Sequence, residues 1–347
     1  MRLVLMPLAA VYEVIVRIRN FLYDSNVRAS YVSSLPVVSI GNLTAGGNGK
    51  TPLCMFVVSQ LVARGYRPVV LSRGYGGSEV GPRLVVSTDS PGLVGDEPLL
   101  MCRSGIDVVV CRKRALGAQF IERLGLFDVI VLDDGLQHRA LSRDIDIASV
   151  FVGTEKACHE FEEGRLLPLG LFREPRDRAL TRVDAVVLNV RRVYTDDDDL
   201  VSQSKGVRKV LPNDVSVYYS GLVDPRVQWL RSAEGIQPCE VALFTAIANP
   251  AGVVQSLESM GFVVRASLEF SDHHVFSEDQ IRDFANKHSD VPIVCTEKDA
   301  VKTGAFSAEL VDRLAVLCVK ATVNPVDEFI SQIEDAISSK VRDVRGG

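Results

Sequence analysis

The chain has 347 residues, of which 47% are hydrophobic and 24% are charged. This length can bury a full hydrophobic core and corresponds to about two domains. The net charge of −5 argues against general nucleic-acid binding, because that function needs a basic surface. The seven cysteines contain no C-x-x-C pair, so we expect a reducing compartment and neither a disulfide framework nor a structural zinc site.

The first segment is an apolar run flanked by arginines. Residues 3–16 are apolar except for Pro7 and Glu13, and arginines follow at positions 17 and 19. The run is shorter than the roughly 20 residues that a membrane-spanning helix needs, and a signal peptide is not expected either. Two interpretations remain open: a helix packed into the core, or an interfacial helix whose apolar face lies in the lipid.

Short apolar runs then alternate with amphipathic stretches. Most of the runs are β-branched and bounded by Gly, Asp or Pro, which is typical of buried parallel strands. We predict strands at 36–40, 68–71, 84–86, 108–111, 129–132, 145–150 and 185–189, and helices at 52–64, 97–103 and 113–124. The alternation predicts an α/β fold with right-handed crossovers and a parallel sheet flanked by helices.

The pattern changes at residues 194–211. There TDDDDL and QSKGVRK predict a surface excursion, with the acidic run in a solvated loop. Further strands are predicted at 215–219, 241–245, 262–268, 292–295 and 315–319, and helices at 250–260, 277–287 and 326–338. We therefore expect an N-terminal amphipathic helix, a larger α/β domain and a smaller C-terminal α/β domain, over 1–25, 26–214 and 215–347.

The strongest chemical signal is GNLTAGGNGKTP at residues 41–52. A buried strand ends, a glycine-rich turn follows, and Lys50 and Thr51 open a helix, an arrangement that predicts a phosphate-binding loop. Lys50 should reach the β- and γ-phosphates of a nucleotide, and the Thr51 hydroxyl should hold Mg²⁺. The generic pattern has glycine where Thr44 stands, and an ordinary glycine-rich turn is the alternative. The predicted nucleotide-binding residues of the loop are Thr44, Gly46, Gly47, Asn48, Gly49, Lys50 and Thr51.

A second signal is the pair Asp133 and Asp134 at the end of the predicted strand 129–132. Phosphate-loop proteins need an acidic group at the end of a neighbouring strand to bind Mg²⁺ directly or through water. The structural alternative is an aspartate that caps the turn after the strand. ATPases, GTPases and small-molecule kinases share both signals, so the two together do not name a reaction.

Eight short sequence blocks, in this order along the chain, narrow the choice of reaction. They are GNLTAGGNGKTP, SRGYGG, VGDEPLLM, CRKRALGA, VLDDGLQHRAL, EGRLLPLGLFREP, FSDHHVF and CTEKDAVK. Together they resemble the tetraacyldisaccharide 4′-kinase family, over about residues 36 to 302. One departure is Leu136, where we expect an aromatic residue.

The resemblance implies a fold and a reaction. The fold would be a P-loop NTPase-type parallel sheet with a smaller C-terminal α/β domain. The reaction would use ATP and Mg²⁺ to phosphorylate the 4′-hydroxyl of the tetraacyldisaccharide 1-phosphate lipid A precursor, giving lipid IVA. In the family an aspartate and a histidine handle the hydroxyl proton, and they map onto Asp96 and His273. The alternatives are that Asp96 caps a helix, that His273 is structural, or that His274 is the relevant histidine.

Other residues have less definite roles. Glu97 is expected either in the Mg²⁺ shell or as a helix-dipole partner, and Gln137 and His138 beside the γ-phosphate. Lys298 and Asp299 are expected to be framework residues. Tyr75 either lines the acceptor site or lies in a turn. Candidate ligands of nucleotide or acceptor phosphate, each equally expected in a surface salt bridge, are Arg73, Arg112, Arg114, Arg165 and Arg173.

The acceptor implied by the resemblance is a lipid, which favours the interfacial interpretation of the first segment. We expect a peripheral or monotopic protein on the cytoplasmic face of the bacterial inner membrane, with neither nucleic acid nor an obligate protein as partner. One alternative is a nucleotide-dependent switch or metal-insertion chaperone, since residues 296–299 superficially resemble a base-binding Thr-Lys-x-Asp element. Another is a membrane-bound module with a vestigial site, which would show no turnover.

Overall fold

The chain folds around one large β-sheet. This computed structural model describes residues 2–47, 49–193, 197–272 and 274–346. The strands are β1 (Val37–Gly41), β2 (Pro68–Ser72), β3 (Arg83–Leu84), β4 (Val108–Val110), β5 (Val129–Asp133), β6 (Ile145–Phe151), β7 (Ala185–Val193), β8 (Ser216–Trp229), β9 (Glu240–Thr245), β10 (Val263–Glu269), β11 (Ile293–Thr296) and β12 (Leu314–Asn324).

Helices cover the sheet and connect its strands. They are α1 (Arg2–Asp24), α2 (Lys50–Ala63), α3 (Pro91–Val94), α4 (Asp96–Arg103), α5 (Arg114–Leu124), α6 (Glu155–Glu163), α7 (Arg176–Leu180), α8 (Asp197–Gln203), α9 (Lys205–Lys209), α10 (Pro250–Ser259), α11 (Glu278–Lys287), α12 (Glu297–Ala300), α13 (Ala308–Val311) and α14 (Val326–Gly346). A 3-10 helix over Val301–Ala305 directly follows α12.

The strand order is β10-β9-β11-β12-β8-β7-β6-β1-β5-β2-β4-β3. Most neighbours are parallel, while β3 pairs antiparallel with β4 and β12 antiparallel with β8. Strand β1 lies between β5 and β6, and all five of its residues are buried. Because parallel strands end at the same edge, the loop after β1 and the end of β5 are neighbours. The α/β prediction with a mostly parallel sheet is confirmed.

Each predicted strand has a counterpart. In the region 194–211 the acidic run was predicted to be a solvated loop, and its described part, from residue 197, instead begins a helix; residues 194–196 lie outside the described residues. Within the described residues of that region, α8 and α9 are helices. Leu200 of α8 and Val207 of α9 are both buried, so each helix packs at least one apolar side chain against the protein. Charged and polar residues dominate the sequence of this segment and favoured the prediction of an exposed segment.

The two halves of the sheet share a helical layer. The C-terminal helix α14 packs against α2 and β1, and the ring of Phe329 lies 6.5 Å from that of Phe56 and 4.9 Å from that of Tyr218. Lys340 of α14 also lies 3.5 Å from Asp144, before β6. The last helix therefore returns to the first half of the chain.

Helix α1 has one buried and one exposed face. Ala9, Val16 and Asn20 are buried, and Tyr12 donates a hydrogen bond to the carbonyl of Arg173. The opposite face exposes Met6, Leu8, Val11, Val14, Ile15, Ile18 and Phe21. Within the described ranges, no helix has both the length and the apolar character needed to cross a bilayer. The helix thus packs on the protein along one side and presents an apolar stripe on the other.

Candidate active site

The glycine-rich segment connects β1 to α2 at the edge of the sheet. Gly46 and Gly49 have φ values of 101° and 72°, which favour glycine, and Gly49 directly precedes α2. Thr44, where the generic pattern has glycine, pairs with Phe172, and the Ala45 N–H donates to the Leu171 carbonyl. This pairing fixes one side of the predicted phosphate loop. Asn48 lies outside the described residues.

Leu136 fills space beside the start of that loop. A Cβ on Gly41 would lie only 2.6 Å from Leu136 Cγ, so the leucine packs directly on the glycine backbone. Leu136 is buried in a cluster that includes Leu43. The departure from the expected aromatic residue therefore leaves an apolar contact at this position.

Lys50 and Asp134 form the central ion pair of the site. Lys50 Nζ lies 2.6 Å from Asp134 Oδ1, and Arg173 Nη1 lies 3.1 Å from the same oxygen. Burial acts to raise the pKa of Asp134, but the charges of Lys50 and Arg173 outweigh it and lower that pKa. Asp134 thus stays ionised and holds two cations at the end of β5. Arg173 was predicted either as a phosphate ligand or in a salt bridge, and in the structure it contacts this carboxylate.

Asp133 ends β5 in a more buried environment. It accepts a hydrogen bond from Ser72 Oγ at 3.0 Å. Burial, followed by the negative charges of Asp134 and Glu97, raises the pKa of Asp133, while the charge of Lys50 and the hydrogen bond from Ser72 oppose this. The interaction with Glu97 brings the first turn of α4 into the same site. A bound divalent cation would offset the negative charge that Asp134 and Glu97 impose on Asp133.

The donor set fits a nucleotide-bound Mg²⁺ better than a cage made of protein ligands alone. In the part of the chain that the structure describes, no three His, Cys, Asp or Glu side chains are grouped to hold a metal. Mg²⁺ is usually held by one or two carboxylates together with substrate phosphates and water. Asp133, Glu97 and the Thr51 hydroxyl, at the start of α2, suit that role.

Two buried nitrogen atoms near the aspartates lack a hydrogen-bond partner among the described residues: Nε of Arg114 and Nε2 of His138. Arg114 is only 3% exposed, and burial lowers its pKa although Asp133 and Asp134 oppose the shift. Burial and then the charge of Arg114 lower the pKa of His138 to about 4. Each of these nitrogen atoms is available for a hydrogen bond with a bound ligand or water.

Gln137 belongs to the network behind the loop. Its amide nitrogen lies 3.0 Å from the Asn42 carbonyl oxygen and 3.3 Å from Glu174 Oε1. Glu174 is fully buried, and it also accepts hydrogen bonds from Asn20 and Arg182. Gln137 therefore links the phosphate loop to the segment under α1.

The C-terminal half contributes two lysines. Lys298 Nζ lies 2.8 Å from Glu97 and 3.4 Å from Asp272, while Lys302 Nζ lies 3.3 Å from Asp96. Asp96 is the first residue of α4 and follows Gly95, so it does not cap the helix. The pairing of these lysines with α4 was not predicted, because it joins residues about 200 positions apart in the sequence.

The predicted histidine region is described only in part. His273 lies outside the described residues. The ring of His274 stacks on that of Phe270 with centroids 4.7 Å apart, and its Nε2 is buried without a hydrogen-bond partner among the described residues. Its backbone carbonyl accepts a hydrogen bond from Lys302 Nζ.

The element resembling a base-binding motif has a structural role here. Asp299 is fully buried and accepts hydrogen bonds from the Thr245 hydroxyl, the Ala246 N–H and the Thr296 hydroxyl. Its carboxylate is thereby used within the fold. This arrangement disfavours the nucleotide-switch alternative.

The remaining candidates lie at different places. Arg73 is within electrostatic range of His138 and Arg114, whereas Arg112 donates to the Gly77 carbonyl. Arg165 pairs with Glu163 at 2.8 Å, as in the surface alternative. The side chain of Tyr75 is largely exposed.

Fold and site together define a P-loop α/β protein of the class that handles nucleotide phosphates. The family model described as "Tetraacyldisaccharide-1-P 4'-kinase" matches residues 1–338. The chain belongs to this family.

Curated relatives and a solved structure agree with the assignment. The chain is 36% identical to a tetraacyldisaccharide 4′-kinase of Aeromonas hydrophila, covering 89% of this chain and 85% of that protein. It is 37% identical to one of Anaeromyxobacter sp. (strain K), covering 88% and 82%. A crystal structure of LpxK from Aquifex aeolicus in complex with ATP matches with a TM-score of 0.75 at 26% identity, covering 97% of this chain and 99% of that one.

Proposed function

We propose that the protein transfers the γ-phosphate of ATP to the 4′-hydroxyl of tetraacyldisaccharide 1-phosphate, giving lipid IVA in lipid A biosynthesis. The observation that carries the proposal is the ion pair at the end of β5, where Lys50 Nζ of the loop lies 2.6 Å from Asp134 Oδ1, next to Asp133. Membership of the family supports the identity of the acceptor.

The nucleotide phosphates bind at the loop between β1 and α2. Backbone N–H groups there and the N-terminus of α2 favour anions, and Lys50 neutralises charge on the β- and γ-phosphates. Asp134 holds the Lys50 ammonium at that position. The buried nitrogen atoms of Arg114 and His138 supply further contacts toward the γ-phosphate.

Thr51, Asp133 and Glu97 would hold Mg²⁺, with Asp134 beside them. Bound Mg²⁺ supplies neutralisation of the charge on the transferring phosphate. Ser72 keeps the Asp133 carboxylate in place through its hydrogen bond.

Asp96 is the proposed general base toward the acceptor hydroxyl. Transfer forms a bond between the 4′-oxygen and the γ-phosphorus, breaks the bond from that phosphorus to ADP, and releases the hydroxyl proton. Asp96 accepts this proton, and His273 orients or tunes the carboxylate, with His274 as the alternative. Proximity of acceptor and phosphate supplies much of the remaining acceleration.

The exposed stripe of α1 lies on the membrane surface. An amphipathic helix with apolar residues on one side binds in the plane of the lipid headgroups, and the acceptor carries its acyl chains in the same bilayer. This supports a peripheral or monotopic enzyme on the cytoplasmic face of the inner membrane.

Incubation of the purified protein with γ-labelled ATP and tetraacyldisaccharide 1-phosphate in mixed micelles tests the proposal. We expect Mg²⁺-dependent transfer of label to the lipid, at the 4′ position. Hydrolysis of nucleotide without labelling of the lipid would support a switch instead. Labelling at another hydroxyl would overturn the assignment of the acceptor position.

A further inference from the structure

Two lysines of the C-terminal half contact the acidic first turn of α4. Lys298 and Lys302 stand four residues apart, at the junction of α12 and the 3-10 helix over Val301–Ala305. Lys298 pairs with Glu97, and Lys302 pairs with Asp96. Two consecutive acidic residues of the first half of the chain are thus each paired with a lysine of the second half.

Lys302 is the more buried of the two lysines. Its side chain is 5% exposed, whereas that of Lys298 is 19% exposed. The Lys302 ammonium lies 3.3 Å from Asp96, 3.9 Å from Asp299 and 3.1 Å from the carbonyl oxygen of His274. The ring of Phe276 lies 5.5 Å from the same nitrogen. A buried cation with this many oxygen partners is held in one position.

The contacts of Lys302 join three parts of the molecule. Asp96 belongs to α4, and His274 lies in the segment between β10 and α11. Asp299 is held at the end of β9 by a hydrogen bond from Thr245. Movement of α4 relative to the His274 segment would break the bond at one end of the lysine or the other. Its length and charge therefore set the place of the Asp96 carboxylate relative to that segment.

We propose that Lys302 is a positioning residue for the phosphoryl transfer, acting by holding the Asp96 carboxylate against the segment at His274. The proposal rests on the proposed function, in which Asp96 accepts the proton of the acceptor. It assigns a positioning role in the reaction to one residue of the CTEKDAVK block. Lys302 acts through Asp96 and is not assigned a contact with the nucleotide.

The test compares Lys302→Met, which keeps the apolar stem and removes the charge, with Lys302→Arg, which keeps the charge. The matched control is Lys340→Met, because Lys340 is also a mostly buried lysine, is 3.5 Å from Asp144 and lies on α14. We expect Lys302→Met to lower kcat at least 10-fold with the KM for ATP within about 2-fold. Lys302→Arg should recover much of the loss, and Lys340→Met should stay within about 2-fold of wild type.

A double-mutant cycle separates positioning from general stability. In the Asp96→Asn background, Lys302→Met should lower kcat by less than about 3-fold, because the group on which it acts has gone. Full multiplication of the two losses would overturn the proposal, and so would a loss below 3-fold in Lys302→Met alone. Failure of both Lys302 variants to fold would also overturn it, since the lysine would then be a requirement of the fold.

Hydrogen exchange keeps this test independent of the lipid reaction. In the protein without nucleotide, Lys302→Met should speed exchange of the hydrogen-bonded amides of α4, from Leu99 onward, and Lys340→Met should not. If the wild type phosphorylates no lipid, the proposed function fails, and the exchange measurement alone then tests whether Lys302 holds α4 in place. Unchanged exchange in Lys302→Met would overturn the proposal that it does.

Discussion

In the proposed mechanism, Lys50 stands where charge accumulates during the transfer. Its ammonium is held 2.6 Å from Asp134, at the first residue of α2. We expect Lys50→Ala to lose about 3–4 kcal/mol of transition-state stabilisation, a fall in kcat of at least about 100-fold. Steady-state kinetics with saturating ATP and lipid measure this effect. Retention of more than about a tenth of the wild-type kcat would remove the phosphate-loop assignment.

His138 gives a pH-dependent contribution to stability. Burial and the nearby arginines lower its pKa from 6.5 to about 4 in the folded protein, so the folded state favours the neutral ring. The unfolded chain then binds more protons between these values, and the contribution is complete above pH 6.5 and is lost as the pH falls toward 4.

Urea unfolding at pH 7 and pH 5 of wild type and His138→Asn tests this sign. The free energy of unfolding of the wild type should fall more between the two values than that of the variant, by about 1–2 kcal/mol once solvent screening is counted. Equal falls in both proteins would show that His138 titrates normally in the folded state.

At the scale of elements, membrane binding by α1 is better tested by substitution on its exposed stripe than by deletion of the helix, because its inner face contacts the rest of the protein. Tyr12 and Asn20, on its inner face, contact Arg173 and Glu174 near the site. Replacing Ile15 and Ile18 with glutamate should weaken co-sedimentation with phospholipid vesicles strongly and leave the affinity for ATP unchanged, because these side chains face outward.

The matched control is Val263→Glu, which changes a similarly exposed residue on the edge strand β10. It should sediment like the wild type. Equal sedimentation of the α1 variant and the control would remove the membrane interpretation of α1.

The sequence predicts elements well where apolar runs are continuous. Strand 129–132 was predicted because four buried apolar residues precede Asp133, and the strand forms there. Helices α8 and α9 were not predicted, because charged and polar residues dominate the sequence of this segment. Contacts between the two halves, such as that of Lys302 with Asp96, join residues about 200 positions apart in the sequence. Local sequence patterns cannot predict such contacts.

At the scale of the whole molecule, one sheet and one shared helix layer connect the two halves. Parallel pairing of β7 with β8 and the packing of Phe329 on Phe56 both cross the predicted boundary at residue 215. The division into three parts remains a prediction.

Denaturation tests how independent the halves are. The sole tryptophan, Trp229, ends β8 and reports on the second half, while far-ultraviolet circular dichroism reports on both. We expect the two urea transitions to coincide, because the shared layer couples the halves. Separate transitions would establish two independently folding units.

The central claim is that Asp96, presented by the first half and held by the second, accepts the acceptor proton. Its most direct test is single-turnover transfer from γ-labelled ATP to the lipid by Asp96→Asn, which keeps the size of the side chain and removes its basicity. We predict a fall in the transfer rate of about 100-fold or more with unchanged affinity for ATP. A near-normal transfer rate, or a change confined to ATP affinity, would contradict the claim and move the role of base to Asp133 or Asp134.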